Sequence, residues 1–405
     1  MRAFIIFLFL VSFIPSGKAQ RLCTSEKVKP GSPVVKNSLG GIERDTLANE
    51  IITIPVVIHL LYNSPSQNIS EAQVLSQLEA LNKDFSRLNT DAASIPAAFR
   101  SKAADIKIRF CLAKVDPNGR NTPGIIRKYT SKEYFLGDDG MKFNASGGDN
   151  AWDPQRYLNI WVCNMFGRSL GYSTVPGSPA AKDGVVINWD VFGTKGAVRA
   201  PFNKGRTTTH EVAHWLGLKH IWGDDVCGSD DVEDTPPQKS YNFYCPTFPK
   251  VSDCSIDANG DMYMNFMDLT DDACMYMFTN GQKNKMRSLF AIDGYRNSFL
   301  NSFQCDSTLA TGGPLPVDSI ISEVPSYSVS IYPNPVIGQL NIIPHNNFNL
   351  VGESCLIFNM HGKKVFEQKL SSQKIQIDLS FLNQGIYFLK IGNGAGKKTF
   401  KIIKN

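Results

Sequence analysis

From Ile51 to Tyr62 the chain reads Ile-Ile-Thr-Ile-Pro-Val-Val-Ile-His-Leu-Leu-Tyr, a β-branched run with few polar positions. Such a run predicts a buried first strand. The period then changes. Val74, Leu75, Leu78 and Leu81 recur at spacings of three and four behind Ser70, which predicts an amphipathic helix capped by that serine. Further apolar runs predict strands over 106–113, 157–163 and 184–189. A helical stretch over 207–217 follows, with threonines placed to cap its start and Gly217 to end it. Residues 227–274 are rich in Asp, Pro, Asn and Gly, so loops should dominate there, and 279–290 predicts a last helix. Strand, long helix and several strands ahead of another helix point to a mixed α/β domain.

The pattern shifts again near the C-terminus. Short alternating strands are expected at 328–332, 339–343, 354–359, 374–378, 385–391 and 398–403, separated by turn residues at regular intervals. That spacing predicts a small all-β sandwich over 327–405. Gly312-Gly313-Pro314 and Pro316 mark 306–326 as a linker. At the other end, Arg2 precedes the apolar run Ala3–Pro15 and the small residue Ala19, the layout of a signal peptide over 1–19. The run is too short to span a bilayer, which needs about 20 apolar residues. Residues 20–50 read as a polar pro-segment, leaving 51–305 for the main domain.

Composition narrows the function. The net charge of +5, from 42 basic and 37 acidic side chains, is spread along the chain and implies no nucleic-acid partner. With that signal peptide, and no later segment long and apolar enough for a transmembrane helix, the mature protein is expected to be soluble outside the cytoplasm. Nine cysteines fit an oxidising compartment, and their odd number leaves at least one unpaired. Four of them, Cys227, Cys245, Cys254 and Cys274, crowd the loop-rich stretch, where sequence alone allows three connectivities.

The chemistry lies in His210-Glu211-Val212-Ala213-His214-Trp215-Leu216-Gly217-Leu218-Lys219-His220. Residues four apart share a helix face, so His210 and His214 can reach one metal ion. Gly217 permits a sharp turn that brings His220 back as third ligand. Three protein ligands leave one position for water or substrate, the mark of a catalytic zinc site. Glu211, beside the first ligand, is placed to take a proton from the attacking water, which the zinc acidifies. The reading is a zinc-dependent endopeptidase. Its rivals are a peptidase whose third ligand is a distant glutamate, against which His220 argues, and a binding protein with an idle metal site.

The eleven-residue pattern is that of the metzincins. Cys227-Gly-Ser-Asp-Asp-Val-Glu-Asp-Thr-Pro236, Asn265-Phe-Met-Asp-Leu-Thr-Asp-Asp-Ala-Cys-Met275, Leu158-Asn-Ile-Trp161 and Asp183-Gly-Val-Val186 resemble the pappalysin family, most like its cytophagalysin and ulilysin-like members. The resemblance implies an α+β metzincin-type catalytic domain: a twisted mixed sheet, an active-site helix and a loop-rich C-terminal subdomain. It implies Met267 as the Met-turn methionine beneath the zinc, although a core methionine would look the same. It pairs Cys227 with Cys254 and Cys245 with Cys274. By the same likeness Asp272 lines a substrate pocket that selects cleavage before Arg or Lys, the alternative being a solvated carboxylate. Asp231, Asp234 and Thr235 resemble a calcium-stabilised loop, or are simply a solvated acidic loop. Cys23 resembles a latency switch whose thiolate occupies the zinc of the zymogen, the alternative being a simple unpaired thiol, and Thr24 stands where the family has glycine. Leu269 replaces the tyrosine common two residues after the methionine, so no hydroxyl is available there.

The C-terminal unit resembles the sorting domain of the type IX secretion system of Bacteroidetes, through Val329-Ser-Ile-Tyr-Pro-Asn-Pro335, Leu340-Asn-Ile342 and Gly385-Ile-Tyr-Phe-Leu-Lys390. The expected partners are therefore protein or peptide substrates and that secretion machinery, and the expected destination is the medium or the outer-membrane surface.

Overall fold

A computed structural model describes residues 50–309, 329–344, 350–359, 363–372, 375–391 and 398–405. The expected signal peptide, the pro-segment up to residue 49, Cys23 and linker residues 310–326 lie outside the described residues. The chain divides into two compact units between Gly313 and Pro314, and each is described by itself.

In the first unit, strand β1 (Ile52–Tyr62) is the organising element. It pairs in parallel with β2 (Ile108–Leu112) along its first half and with β3 (Ile125–Tyr129) along its second. Its other edge takes β4 (Leu158–Cys163), also parallel, and β6 (Val185–Asn188) continues the sheet. The last strand, β5 (Gly171–Ser173), runs antiparallel to β6 at the sheet edge. β1 and β4 are covered on both faces, which is why their sequences are near-continuous apolar runs. β3 is half exposed and β5 has three residues, so neither gives a periodic signal.

Helix α1 (Glu71–Phe85) starts at Ser70, whose hydroxyl accepts the Gln73 N–H. Its buried stripe is Val74, Leu78, Leu81 and Phe85, each contributing about 1.5–3 kcal/mol. The structure corrects one member of the expected stripe. Leu75 is 48% exposed, and the adjoining buried positions are taken by Gln73 and Gln77. These amides hold the loop ahead of the next long helix: Gln73 Nε2 donates to Phe192 O at 2.9 Å, and Gln77 Oε1 accepts the Gly193 N–H at 2.6 Å. Gln77 Nε2 donates to Gly205 O at 3.0 Å.

The short α2 (Ala97–Arg100) leads back towards the sheet. Helix α3 (Arg206–Trp215) is buried along its whole length. Its start differs from expectation, because no threonine caps it. Gly205 stands at the cap in the left-handed region (φ +74°), where a Cβ would meet the Gln77 amide. Thr207, Thr208 and Thr209 lie inside the helix, and Thr209 Oγ1 donates to Asp84 of α1 at 2.7 Å. Helix α4 (Asn280–Ser288) begins with a reciprocal capping box between Thr279 and Gln282.

Between α3 and α4 the chain is loop with one short 3-10 turn at Asp272–Cys274. Disulfides Cys227–Cys254 and Cys245–Cys274 close loops there, each worth about 3–4 kcal/mol by the chain-entropy argument. Cys111 pairs with Cys305, tying β2 to the far end of the unit. Cys163 is a buried thiol.

Among the described residues the second unit has seven strands, all paired antiparallel. One sheet runs β10 (Lys364–Lys369), β9 (Ser354–Asn359), β12 (Gly385–Ile391) and β13 (Lys398–Lys404). The other runs β11 (Ile375–Asp378), β8 (Gln339–Pro344) and β7 (Val329–Tyr332). Leu340, Ile342, Ile357, Ile377 and Leu389 form one core with the buried thiol Cys355, whose pKa burial pushes up to about 12. β10 has little burial on either face, so its sequence shows no clean alternation.

Candidate metal centre

The ligand geometry starts from how α3 ends. Gly217 adopts φ +83°, its N–H bonds to His214 O at 2.8 Å, and the Leu218 N–H reaches back to Ala213 O at 3.0 Å. This is a Schellman closure, and it reverses the chain at once. His220 therefore returns to the face that carries His210 and His214. His210 Nε2 lies 3.1 Å from His214 Nε2, which lies 3.2 Å from His220 Nε2. Among the described residues these three form the one group of His, Cys, Asp or Glu whose ligand atoms converge as for a metal ion.

The other ring nitrogens point away and are all engaged. His210 Nδ1 donates to Phe266 O at 2.6 Å, and His214 Nδ1 donates to Leu218 O at 2.8 Å. His220 Nδ1 donates to Asp224 Oδ1 at 2.5 Å. With Nδ1 protonated, each Nε2 lone pair faces the common point. Burial, with His220 adding to it, holds the His214 pKa down at about 3, so that ring stays neutral. Three imidazoles whose Nε2 atoms converge on one point fit zinc.

Glu211 is buried one residue beyond the first histidine. Gly171 of β5 lets the edge strand come close: a Cβ there would sit 2.8 Å from Val186 O and 3.2 Å from Glu211 Cγ. Met267 is fully buried, and its carbonyl accepts the Ile221 N–H at 3.1 Å, next to His220. Its own N–H donates to Asn265 Oδ1 at 2.9 Å, and Asn265 exchanges two hydrogen bonds with Gln282. The α4 capping box thus pins the segment whose Phe266 carbonyl meets His210. Thr279-x-x-Gln282 was readable as a capping pattern; the roles of Asn265, Phe266 O and Asp224 had no local signal. Leu269 is buried.

Asp272 is fully buried near the start of α3, its Oδ2 accepting the N–H groups of Lys204 at 2.8 Å and Arg206 at 3.3 Å. Asp231, Asp234 and Thr235 each take a different partner. Asp231 pairs with Lys219 at 2.6 Å. Asp234 accepts Thr279 Oγ1 at 2.6 Å and the Gly281 N–H at 2.9 Å, at the start of α4. Thr235 Oγ1 donates to Asp230 Oδ1 at 2.9 Å.

Residues 144–291 match the family model described as pregnancy-associated plasma protein-A, and residues 330–405 match that of the secretion system C-terminal sorting domain. An extracellular metalloprotease of Verticillium alfalfae is 31% identical over 255 residues, 60% of this chain and 77% of its own length. One from Sordaria macrospora is 30% identical over 250 residues, 60% and 76% of the two chains. Among solved structures, mature mirolysin of Tannerella forsythia, in complex with a cleaved peptide, is 48% identical with a TM-score of 0.62. The match covers 65% of this chain and 99% of that one. A promirolysin mutant from the same organism gives 47% and 0.62, covering 66% and 89%.

Fold and site together define a metalloendopeptidase of the metzincin class, with a twisted mixed sheet, an active-site helix and a separate all-β C-terminal unit. The chain belongs to the pregnancy-associated plasma protein-A family and carries a type IX sorting domain. It is secreted or held at the cell surface. No helix among the described residues is long and apolar enough to cross a membrane.

Proposed function

We propose that the chain is a secreted zinc endopeptidase that cuts polypeptides before Arg or Lys, with His210, His214 and His220 as ligands and Glu211 as acid–base residue. The convergence of three Nε2 atoms, each backed by an engaged Nδ1, carries the reading. Zinc held there supplies Lewis acidity towards water and a peptide carbonyl. Glu211 takes the proton from the attacking water and returns it to the leaving amine nitrogen. Its burial keeps bulk water from competing for that proton. Met267 forms the floor of the histidine cluster.

The basic-residue preference rests on Asp272. Its carboxylate is buried and accepts backbone N–H groups beside α3, and charge pairing with a guanidinium or ammonium group is strengthened in a desolvated position. Type IX machinery is the partner that the C-terminal unit would engage during export, and the Cys23 thiolate is the group that would hold the zymogen silent.

The test is hydrolysis of an unfolded protein with and without a zinc chelator, beside Glu211→Ala. A folded, zinc-loaded Glu211→Ala protein that cuts as fast as the parent refutes the mechanism. Product N-termini read by mass spectrometry should be enriched in Arg and Lys; an even distribution refutes the role of Asp272.

A further inference from the structure

We infer that Asp224 is a positioning residue for the metal centre: its carboxylate orients His220 and strengthens that ring as a ligand. The inference rests on the zinc reading above. Of the three groups that receive an Nδ1 proton, two are backbone carbonyls, Phe266 O and Leu218 O, and the third is the side chain of Asp224. A carboxylate acceptor at 2.5 Å fixes the ring tautomer and raises the electron density at Nε2 more than a neutral carbonyl does. His220 is also the ligand that needs such help. His210 and His214 are set by the helix backbone, whereas His220 lies beyond the Gly217 reversal.

The surrounding loop presents that carboxylate. Gly223 and Asp224 both have left-handed backbone, φ +69° and +61°. A Cβ at Gly223 would lie 2.4 Å from Ser229 N, so the loop doubles back on itself closely enough to require glycine. Asp224 has no such excuse. It holds a conformation that costs a side-chain-bearing residue about 1 kcal/mol or more, and the position of its carboxylate accounts for that. One face of the His220 ring is covered by Trp222, stacked at 4.3 Å between ring centroids and 11° between planes. Ring plane and ring rotation are thus fixed by two different neighbours. The Cys227–Cys254 bridge anchors the loop three residues beyond Asp224.

The experiment measures zinc affinity of the whole secreted protein by competition with a chromophoric chelator, for Asp224→Ala, Asp224→Asn and Asp224→Gly. Loss of the carboxylate should weaken zinc binding by roughly 10–100-fold, with Asn, which still accepts a hydrogen bond, falling between Ala and the parent. Glycine separates charge from backbone: it relieves the left-handed strain, yet should lose affinity as alanine does. At saturating zinc, kcat should recover in each variant with KM unchanged. Thermal unfolding of the metal-free proteins identifies any variant that fails to fold, and Asn and Gly keep the test open if Ala does. Folded Asp224→Gly binding zinc as tightly as the parent overturns the inference. His220→Ala runs alongside, and unchanged zinc affinity there overturns the zinc reading itself.

Discussion

Asp272 Oδ2 accepts the backbone N–H of Lys204 at 2.8 Å, so a carboxylate proposed to select substrate also fastens the start of α3. The two roles separate by substitution. Asp272→Asn keeps an acceptor but removes the charge, and should lower the preference for Arg or Lys over neutral residues by at least about tenfold. Its melting temperature should change little. Asp272→Ala removes both and should also cost about 1 kcal/mol, in line with loss of a helix cap. Peptide-library cleavage and thermal unfolding read the two effects independently.

Glu211→Gln should lower kcat by about 10²–10⁴-fold, the range for losing a general acid–base. Zinc content and KM should stay near those of the parent, since Glu211 is assigned no ligand role. Metal analysis and steady-state kinetics on the same preparation check this.

Gly217→Ala should cost about 1–2 kcal/mol, because φ +83° is strained for any residue with a Cβ. Space is not the obstacle: that Cβ would meet Leu289 and Pro176 at 3.5 Å, ordinary contact. A shifted turn moves His220, so zinc affinity should fall with melting temperature. Affinity unchanged in a destabilised variant would separate the turn from the site.

Asp230 gives a pH signature away from the histidines. Burial, opposed by the Thr235 hydroxyl and the Val232 N–H, pushes its carboxyl from 3.8 up to about 6. A pKa raised on folding means the native state binds the proton more tightly. The associated stabilisation is complete below about 3.8 and is lost as pH rises through 6. Asp230→Asn cannot titrate there, so its stability relative to the parent should improve between pH 4 and pH 7, by on the order of 2–3 kcal/mol. A flat difference across that range refutes the shift.

What could be read from the sequence followed periodicity and spacing. β1, α1 and the Gly217 reversal were legible because each rests on residues close in the chain. β3 and β5 were not, since their pairing is decided by strands far away in sequence and their own patterns are weak. The expected threonine cap of α3 failed for the same reason: Gly205 and Asp272 do that work, and Asp272 lies 66 residues beyond Arg206. Around the histidines, the partners at Nδ1 belong to loops, where no period announces which carbonyl or carboxylate will face the ring.

Gln73 and Gln77 take buried places on α1. Their amides reach Phe192 O, Gly193 N and Gly205 O, at the approach to α3. Apolar contact would let the incoming chain slip by one position at small cost, but oriented amide bonds do not. An α-helix has 3.6 residues per turn, so a one-residue slip rotates every side chain by about 100°. His210 and Glu211 would then face away from His220. The two glutamines act as an index mark, setting the angle at which the helix enters the fold.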